Sequence, residues 1–145
     1  MKSINPYLNF PGNTEEAFNF YKKVFGGDFI GGIIRFKDAP GSEELSATDK
    51  GKVMHVALPM GNGNMLMATD ALESMKFKVN FGNNFYISIS ADSKQEADKL
   101  FNGLSDGGKI EMPMKDEFWG DYFGMVTDKF CVQWMINYTY PKENN

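Results

Sequence analysis

The sequence has 145 residues, enough to bury most of the apolar surface of one domain or of two small fused modules. Its formal net charge is −4 and it has no basic cluster, which argues against a nucleic-acid surface. The first residues lack the apolar run of a signal peptide, and no apolar run is long enough to span a bilayer. The single cysteine, Cys131, cannot form an internal disulfide, so we expect a cytoplasmic protein.

The first half of the chain predicts a strand, a helix, a further strand and a hairpin. Residues 4–10 form the first strand, and Asn13 caps a helix to about Phe25, with Glu16 in the capping-box position. Residues 28–36 are strand-like, and residues 37–52 predict a long exposed loop. Strands over 52–60 and 64–70 enclose the turn Gly61-Asn62-Gly63, a strong hairpin signal. The predicted buried stripe of the helix is Ala17, Phe20, Tyr21 and Val24.

The pattern then restarts after a connector over residues 71–83, in which one helical turn is expected near residues 72–75. Residues 84–91 alternate as a strand, and Ser93 with Glu96 forms a second capping box for a helix to about Ser105. A third element covers residues 109–112, and a closing hairpin joins strands over 122–127 and 131–138. A shift of 80 residues places Phe20-Tyr21 on Leu100-Phe101 and Gly27 on Gly107.

This internal repeat sets the predicted fold class. Each half reads strand, helix, strand, strand, strand, and neither half closes its own sheet. We therefore expect an α+β fold in which paired βαβββ modules, at about 1–78 and 79–140 of a single domain, form a curved mixed sheet. The helices cover the convex side, and the concave side forms a cavity.

A series of short motifs runs through nearly the whole chain: Pro6-Tyr7-Leu8, Gly12-Asn13, Glu16-Ala17, Phe20-Tyr21, Phe25-Gly26-Gly27, Met54-His55, Leu66-Met67, Asp70, Glu96-Ala97-Asp98, Phe118-Trp119-Gly120, Phe123-Gly124, Thr127-Asp128 and Trp134. In this order they resemble the motifs of the vicinal oxygen chelate superfamily, which includes glyoxalase I, bleomycin-resistance proteins and extradiol dioxygenases. More narrowly, the chain is similar to the PhnB-like branch, whose members usually form homodimers.

The resemblance implies a test for a metal site. Metal-dependent members use a His, Gln or Glu on each of four strands, and counting along the strands places these positions at Asn5, Met67, Tyr86 and Met135. One amide, one phenol and two thioethers are poor ligands for a divalent ion, so we expect no metal. No glycine-rich strand-to-helix turn followed by an acidic residue occurs, so we expect no nucleotide-type cofactor, although some PhnB-like proteins carry a methyltransferase name.

Three side chains are candidate catalytic acid–base groups: His55, Tyr86 and Asp70. His55 also fits a hydrogen-bonded core or rim position, and Asp70 also fits a turn residue. Glu111, with Asp116 and Glu117, is interpreted as part of a solvated acidic edge.

A ligand-binding surface is predicted on the mixed faces of the strands and on the loop before the closing hairpin. Phe118 and Trp119 are interpreted as an aromatic wall of the pocket, or as packing of that loop. The full predicted set is Asn5, Tyr7, His55, Met67, Tyr86, Ser88, Phe118, Trp119, Gln133 and Met135.

Cys131 occupies a position where the family usually has Gly in a left-handed turn. A cysteine in that conformation costs on the order of 1–2 kcal/mol, so either the turn readjusts or the strain is tolerated. No cationic group is near it in sequence to activate the thiol, and we do not expect a nucleophile.

The sequence favours a metal-independent small-molecule-binding protein of the PhnB-like type, with an unidentified ligand and no nucleic-acid or membrane partner. Two alternatives stay open. One is a lyase, isomerase or dioxygenase of glyoxalase type that uses a non-standard site. The other is a homodimer that sequesters a drug-like ligand, as bleomycin-resistance proteins do.

Overall fold

A computed structural model describes residues 1–142 of the chain. The chain divides into two compact units, residues 1–80 and the part that begins at Phe81. Each unit runs strand, helix, strand, strand, strand, so the predicted α+β class with βαβββ repeats is confirmed. No helix within residues 1–142 has the length and apolar character needed to cross a bilayer.

Unit one is one four-stranded sheet with a helix on one face. β1 pairs in parallel with β4, and β4 and β3 form an antiparallel hairpin with β2 at the far edge, in the order β1-β4-β3-β2. The elements are β1 (Tyr7–Phe10), α1 (Thr14–Phe25), β2 (Ile34–Arg35), α2 (Ala47–Lys50), β3 (Val53–Gly61) and β4 (Asn64–Asp70).

Unit two repeats this topology. β5 pairs in parallel with β8, and the sheet order is β5-β8-β7-β6. The main helix of unit two, α3, begins at Lys94, 80 residues after Thr14 of α1. It ends at Ser105, 80 residues after Phe25. The elements are β5 (Ile87–Ser90), α3 (Lys94–Ser105), β6 (Lys109–Asp116), β7 (Asp121–Thr127) and β8 (Gln133–Thr139).

Each sheet has a helix face that forms the core and an opposite face, here called the open face. In unit two, the core contains Val126, Trp134 and Ile136, which are fully buried. Phe101 of α3 is also buried in this core. Gly124 permits this packing, since a Cβ there would lie 2.9 Å from the Phe101 ring. Alternation along the strands puts the intervening residues on the open face. These include Tyr7, His55 and Met67 in unit one and Ser88, Met125, Thr127, Gln133 and Met135 in unit two.

The two main helices begin differently, and one of the two predicted capping boxes is wrong. Ser93 accepts a hydrogen bond from the Glu96 amide at 3.0 Å, which confirms the box of α3. Asn13 makes no side-chain cap. The amide of Thr14 instead donates to Asp70 Oδ1 at 3.0 Å, so a carboxylate from the end of β4 pairs the first amide of α1.

The buried stripe of α1 is rotated from the predicted one. Ala17 and Tyr21 are fully buried as expected, but Phe18 is buried in place of Phe20 and Val24. The rings of Phe18 and Tyr21 pack edge to face at 5.5 Å. Phe18 and Phe20 are both aromatic and lie two positions apart, so the sequence pattern was open to this error.

The segment between α1 and β3 also differs from expectation. The strand predicted over 28–36 is only Ile34–Arg35, because Gly31 and Gly32 adopt left-handed backbone angles that interrupt an extended chain. The predicted loop over 37–52 contains 3-10 turns and the short helix α2. The Arg35 guanidinium anchors this segment through two hydrogen bonds to the Glu15 carboxylate.

The closing turn keeps the strain anticipated at Cys131, whose φ is +67°. Asp128 holds the turn together: its carboxylate accepts from the amides of Phe130 and Val132 and from the Trp134 indole at 2.8–3.1 Å. Because Asp128 is buried, water cannot take the place of its carboxylate as the acceptor for these three donors. The turn has therefore tolerated the residue and not readjusted.

Candidate functional site

The four positions expected to correspond to metal ligands do not form a set of metal donors. Met67 pairs with Tyr7, and Met135 pairs with Ser88. Asn5 lies before β1, where its Oδ1 accepts from the Met65 amide at 2.9 Å. Thioethers and neutral hydroxyls do not fit the hard or borderline divalent ion that the superfamily implies. Within residues 1–142, no group of three or more His, Cys, Asp or Glu side chains is arranged to hold a metal.

The open face of unit one carries a hydrogen-bonded pair. The Tyr7 hydroxyl on β1 lies 2.9 Å from Nδ1 of His55 on β3, and the tyrosine crosses β4 to reach it. When the phenol donates, the imidazole keeps its proton on Nε2. Partial burial raises the pKa of the Tyr7 phenol, which favours the protonated, donating form. The pair brings together two residues of the predicted site.

Asp70 does not join this pair. Its Oδ1 accepts from the Thr14 amide at 3.0 Å, and its Oδ2 accepts from the Val53 amide at 2.8 Å. The residue is only 3% exposed. Both carboxylate oxygens thus hold backbone groups of α1 and β3, a geometry that favours a structural role over acid–base chemistry.

Unit two carries a different polar cluster. The Tyr86 hydroxyl donates to Glu111 Oε2 at 2.5 Å, and the Thr127 hydroxyl donates to Glu111 Oε1. These two hydrogen bonds, that of Thr127 first, lower the pKa of Glu111, and the bond to Glu111 raises the pKa of Tyr86. Glu111 is exposed on the edge strand β6, in keeping with its interpretation as part of a solvated acidic edge. The sequence did not show that its carboxylate accepts hydroxyls from residues 16 and 25 positions away.

A pocket of about 410 Å³ lies beside this cluster, and Thr127 belongs to both. Gln133, at the start of β8, is the only residue of the predicted binding set among its lining residues, and it is 7% exposed. Its Nε2 donates to the Phe85 carbonyl at 2.6 Å, which fixes the amide. The pocket is lined by Phe81, Gly82, Asn83, Thr127, Cys131 and Gln133.

The other lining residues of the pocket were missed from the sequence. Phe81, Gly82 and Asn83 lie in a segment that reads as a connector, and no local pattern marks them. Cys131 was singled out only for its backbone. Its thiol is exposed and lies in the pocket wall. The left-handed backbone expected at Cys131 could have marked it as a pocket residue, since a strained non-glycine residue often occurs at a functional site.

The remaining predicted residues are spread along the same sheet. Ser88 and Met135 are neighbours on the open face. Phe118 and Trp119 lie at the tip of the β6–β7 hairpin, 96% and 52% exposed. That tip precedes Asp121, whereas the pocket lies at Thr127, so β7 separates them by about 20 Å. The structure does not bring Phe118 and Trp119 to the pocket.

Comparison with known proteins identifies relatives over nearly the whole chain. A family profile described as 3-demethylubiquinone-9 3-methyltransferase matches residues 2–137. The protein YjdN of Escherichia coli K12 is 33% identical over 141 residues, which cover 92% of this chain and 93% of the relative.

Solved structures of similar proteins also match over nearly the whole chain. Protein PA1353 of Pseudomonas aeruginosa is 39% identical with a TM-score of 0.82, over 94% of this chain and 97% of that chain. A putative 3-demethylubiquinone-9 3-methyltransferase, PhnB protein, of Bacillus cereus is 26% identical with a TM-score of 0.74, over 94% and 99%. In fold alone, the chain resembles a glyoxalase/bleomycin resistance protein/dioxygenase family enzyme of Burkholderia phytofirmans PsJN, at 19% identity and a TM-score of 0.64, over 92% and 97%.

Proposed function

The chain belongs to the family described as 3-demethylubiquinone-9 3-methyltransferase, the PhnB-like branch of the glyoxalase fold, and on that premise we propose that it is a metal-independent small-molecule-binding protein. The observation that carries this proposal is the pocket of unit two. Its volume, about 410 Å³, falls within the range of roughly 300–1,000 Å³ usual for ligand sites.

The lining of the pocket supports binding more than chemistry. Phe81 offers an apolar surface, while Thr127 and Gln133 offer polar groups that hydrogen bonds hold in place. A few fixed polar groups beside an aromatic ring are typical of sites that orient a small ligand. The family's methyltransferase description adds no reaction here, because the turns before α1 and α3 lack the glycine-rich pattern of a nucleotide-type cofactor site.

Binding at this pocket is testable without knowing the ligand. Native mass spectrometry of the purified protein reports any co-purified small molecule, and NMR of the backbone amides locates fragments from a library. We expect shifts at Thr127 and Gln133. Gln133→Leu is expected to weaken a pocket fragment about tenfold, and the matched control is Asn137→Leu, four residues along the open face of β8. If no fragment shifts the pocket amides, the proposed function is wrong.

Metal independence has its own test. The protein is incubated with Zn²⁺, Ni²⁺, Mn²⁺ or Fe²⁺, dialysed and subjected to elemental analysis. The donor set at Asn5, Met67, Tyr86 and Met135 predicts no stoichiometric retention. One retained ion per chain would overturn this part of the proposal and leave ligand binding standing.

The Tyr7–His55 pair favours a second candidate function, an enzyme of glyoxalase type such as a lyase or isomerase. The imidazole Nε2 is then the acid–base group, and Tyr7 sets its tautomer. For any substrate that the protein turns over, His55→Ala is expected to lower kcat at least a hundredfold. Unchanged turnover would remove His55 from the mechanism.

We also propose that the protein is a cytoplasmic homodimer, as expected for the PhnB-like branch. The native mass spectrum tests the dimer directly, since a mass of one 16.3 kDa chain would contradict it.

A further inference from the structure

We propose that the unit-two pocket selects a ligand that carries a hydrogen-bond donor, best an ammonium group on an aromatic body, and discriminates against carboxylates. This inference rests on the proposed function, because it names the ligand class of that same pocket. It follows from where the hydrogen atoms of the polar side chains point.

The first step concerns the two hydroxyls of the cluster. A hydroxyl has one proton to donate and two lone pairs that accept. The protons of Thr127 and Tyr86 are both directed at Glu111. Thr127, which lines the pocket, therefore presents lone pairs and no proton to a ligand.

The second step concerns the buried amide. Gln133 uses Nε2 to donate to the Phe85 carbonyl at 2.6 Å. This bond fixes which end of the amide is the nitrogen and leaves the carbonyl oxygen Oε1 as an acceptor. A ligand that brings only acceptors would leave these lone pairs opposite its own, which weakens its binding.

The third step concerns charge. Glu111 is ionised at neutral pH, and its negative charge lies one hydrogen bond from the pocket wall. Lys109, the strand partner of Thr127, carries an opposing charge that acts on Glu111. Because Glu111 is exposed, solvent screens its charge, and hydrogen-bond donation rather than net charge is expected to dominate selectivity.

The aromatic body of the ligand follows from Phe81. Its ring lines the pocket and is 51% exposed, so a bound ring would cover apolar surface that water now contacts.

The test uses three probes with the same ring: benzylammonium, benzyltrimethylammonium and benzoate. The second has the charge of the first without an N–H donor, and the third carries acceptors only. Each is titrated into the full chain, and the amide shifts of Thr127 and Gln133 give Kd. We expect benzylammonium to bind about tenfold more tightly than its trimethyl analogue, and benzoate to bind most weakly.

A pair of variants separates the cluster from general charge. Glu111→Gln removes the charge and replaces one acceptor oxygen with a donor, so it frees a hydroxyl proton for the ligand. It is expected to weaken benzylammonium at least fivefold and to tighten benzoate. The control Asp92→Asn removes the same charge from an exposed position beyond the far end of β5, and is expected to leave both affinities unchanged within twofold.

The outcomes are distinct. If the trimethyl analogue binds as tightly as benzylammonium, or benzoate binds more tightly than either, the donor preference is wrong while the pocket remains a binding site. The same conclusion follows if Glu111→Gln and Asp92→Asn behave alike. If none of the probes shifts the pocket amides, and the fragment library does not either, the pocket is not a site and both proposals fail.

Discussion

The two units share a backbone plan and differ in the chemistry of their open faces. Their main helices have the same length, and their sheets the same strand order. Unit one presents a hydrogen-bonded Tyr7–His55 pair, whereas unit two presents Glu111 with two hydroxyls directed at it. The comparison teaches that the repeat conserves the framework that positions a site, while the side chains on it are free to diverge.

The units also differ in how a buried aspartate stabilises each of them. Asp70 accepts from Thr14 of α1, 56 residues before it, and from Val53 of β3. Asp128 instead binds amides of the turn in which it lies, within four residues. Both are 3% exposed. The substitutions below change one unit at a time, and so measure how far this difference reaches.

The largest expected effect is at Asp128. Asp128→Ala removes the acceptor of two amides and an indole N–H, and should lower the free energy of unfolding by about 3–5 kcal/mol. Asp70→Ala leaves two amides unpaired and should cost about 2–4 kcal/mol. Urea unfolding measures both, with the exposed Asp106→Ala as control. A larger loss for Asp70→Ala would reverse the ranking of the two carboxylates.

The next effect is a loss of stability at alkaline pH that arises at Tyr122 in unit two. The Tyr122 hydroxyl donates to Asp98 Oδ1 at 2.5 Å, and this bond, with burial second, raises the pKa of Tyr122 from 10.0 to about 12. A raised pKa means that the stabilisation is complete below pH 10 and disappears as the pH rises through 12.

Tyr122→Phe should therefore cost about 1–2 kcal/mol at pH 8 and progressively less towards pH 12. The urea midpoint between pH 8 and 12 is the measurement, and Tyr138→Phe on the neighbouring strand is the control. A Tyr122→Phe curve parallel to that of the unchanged protein would show that the hydrogen bond does not set the alkaline limit.

A smaller effect distinguishes the two helix starts. Ser93→Ala removes the cap of α3 and should destabilise by about 1 kcal/mol. Asn13→Ala, at the corresponding position of α1, should cost less than about 0.5 kcal/mol, because the Asn13 side chain makes no cap and Asp70 pairs the Thr14 amide. Thermal unfolding of the two variants makes the comparison. Equal losses would show that Asn13 caps α1 in solution.

The smallest effect is a gain in stability. Cys131→Gly relieves a left-handed backbone at φ +67° and should stabilise by roughly 0.5–1 kcal/mol after the greater freedom of glycine in the unfolded chain is counted. Cys131→Ser keeps the strain and should match the unchanged protein in urea unfolding. If the serine variant gains as much as the glycine variant, the thiol and not the backbone is responsible.

Features set by a few adjacent residues could be predicted from the sequence. The hairpin turn has Asn62 and Gly63 with φ of 53° and 79°, as Gly61-Asn62-Gly63 predicts, and the cap at Ser93 forms as its spacing indicates. The expected helical turn in the connector is present at Glu73–Met75. The strain at Cys131 was also anticipated, since the turn geometry is local.

Features that depend on distant partners could not be predicted. Asn13, like Ser93, is a capping residue type with a glutamate three positions later. Yet the carboxylate of Asp70, 56 residues from Thr14, accepts from the first amide of the helix. Glu111 is a surface residue, but no local pattern shows that Tyr86 and Thr127 donate to its carboxylate. Phe118 and Trp119 seemed suited to a pocket wall because they are aromatic, but a hairpin places them at the opposite end of β7. Composition gives no measure of these distances.

The long-range cap of α1 has a consequence for synthesis of the chain. A ribosome releases residues in order, and α1 emerges well before Asp70, on which its first turn depends. The N-terminal helix therefore has no complete start until the β3–β4 hairpin has emerged and folded back to it. α3 carries its own cap and needs no such delay. A nascent chain halted before residue 70 should leave α1 frayed at its beginning, whereas α3 can begin to form as soon as it leaves the exit tunnel.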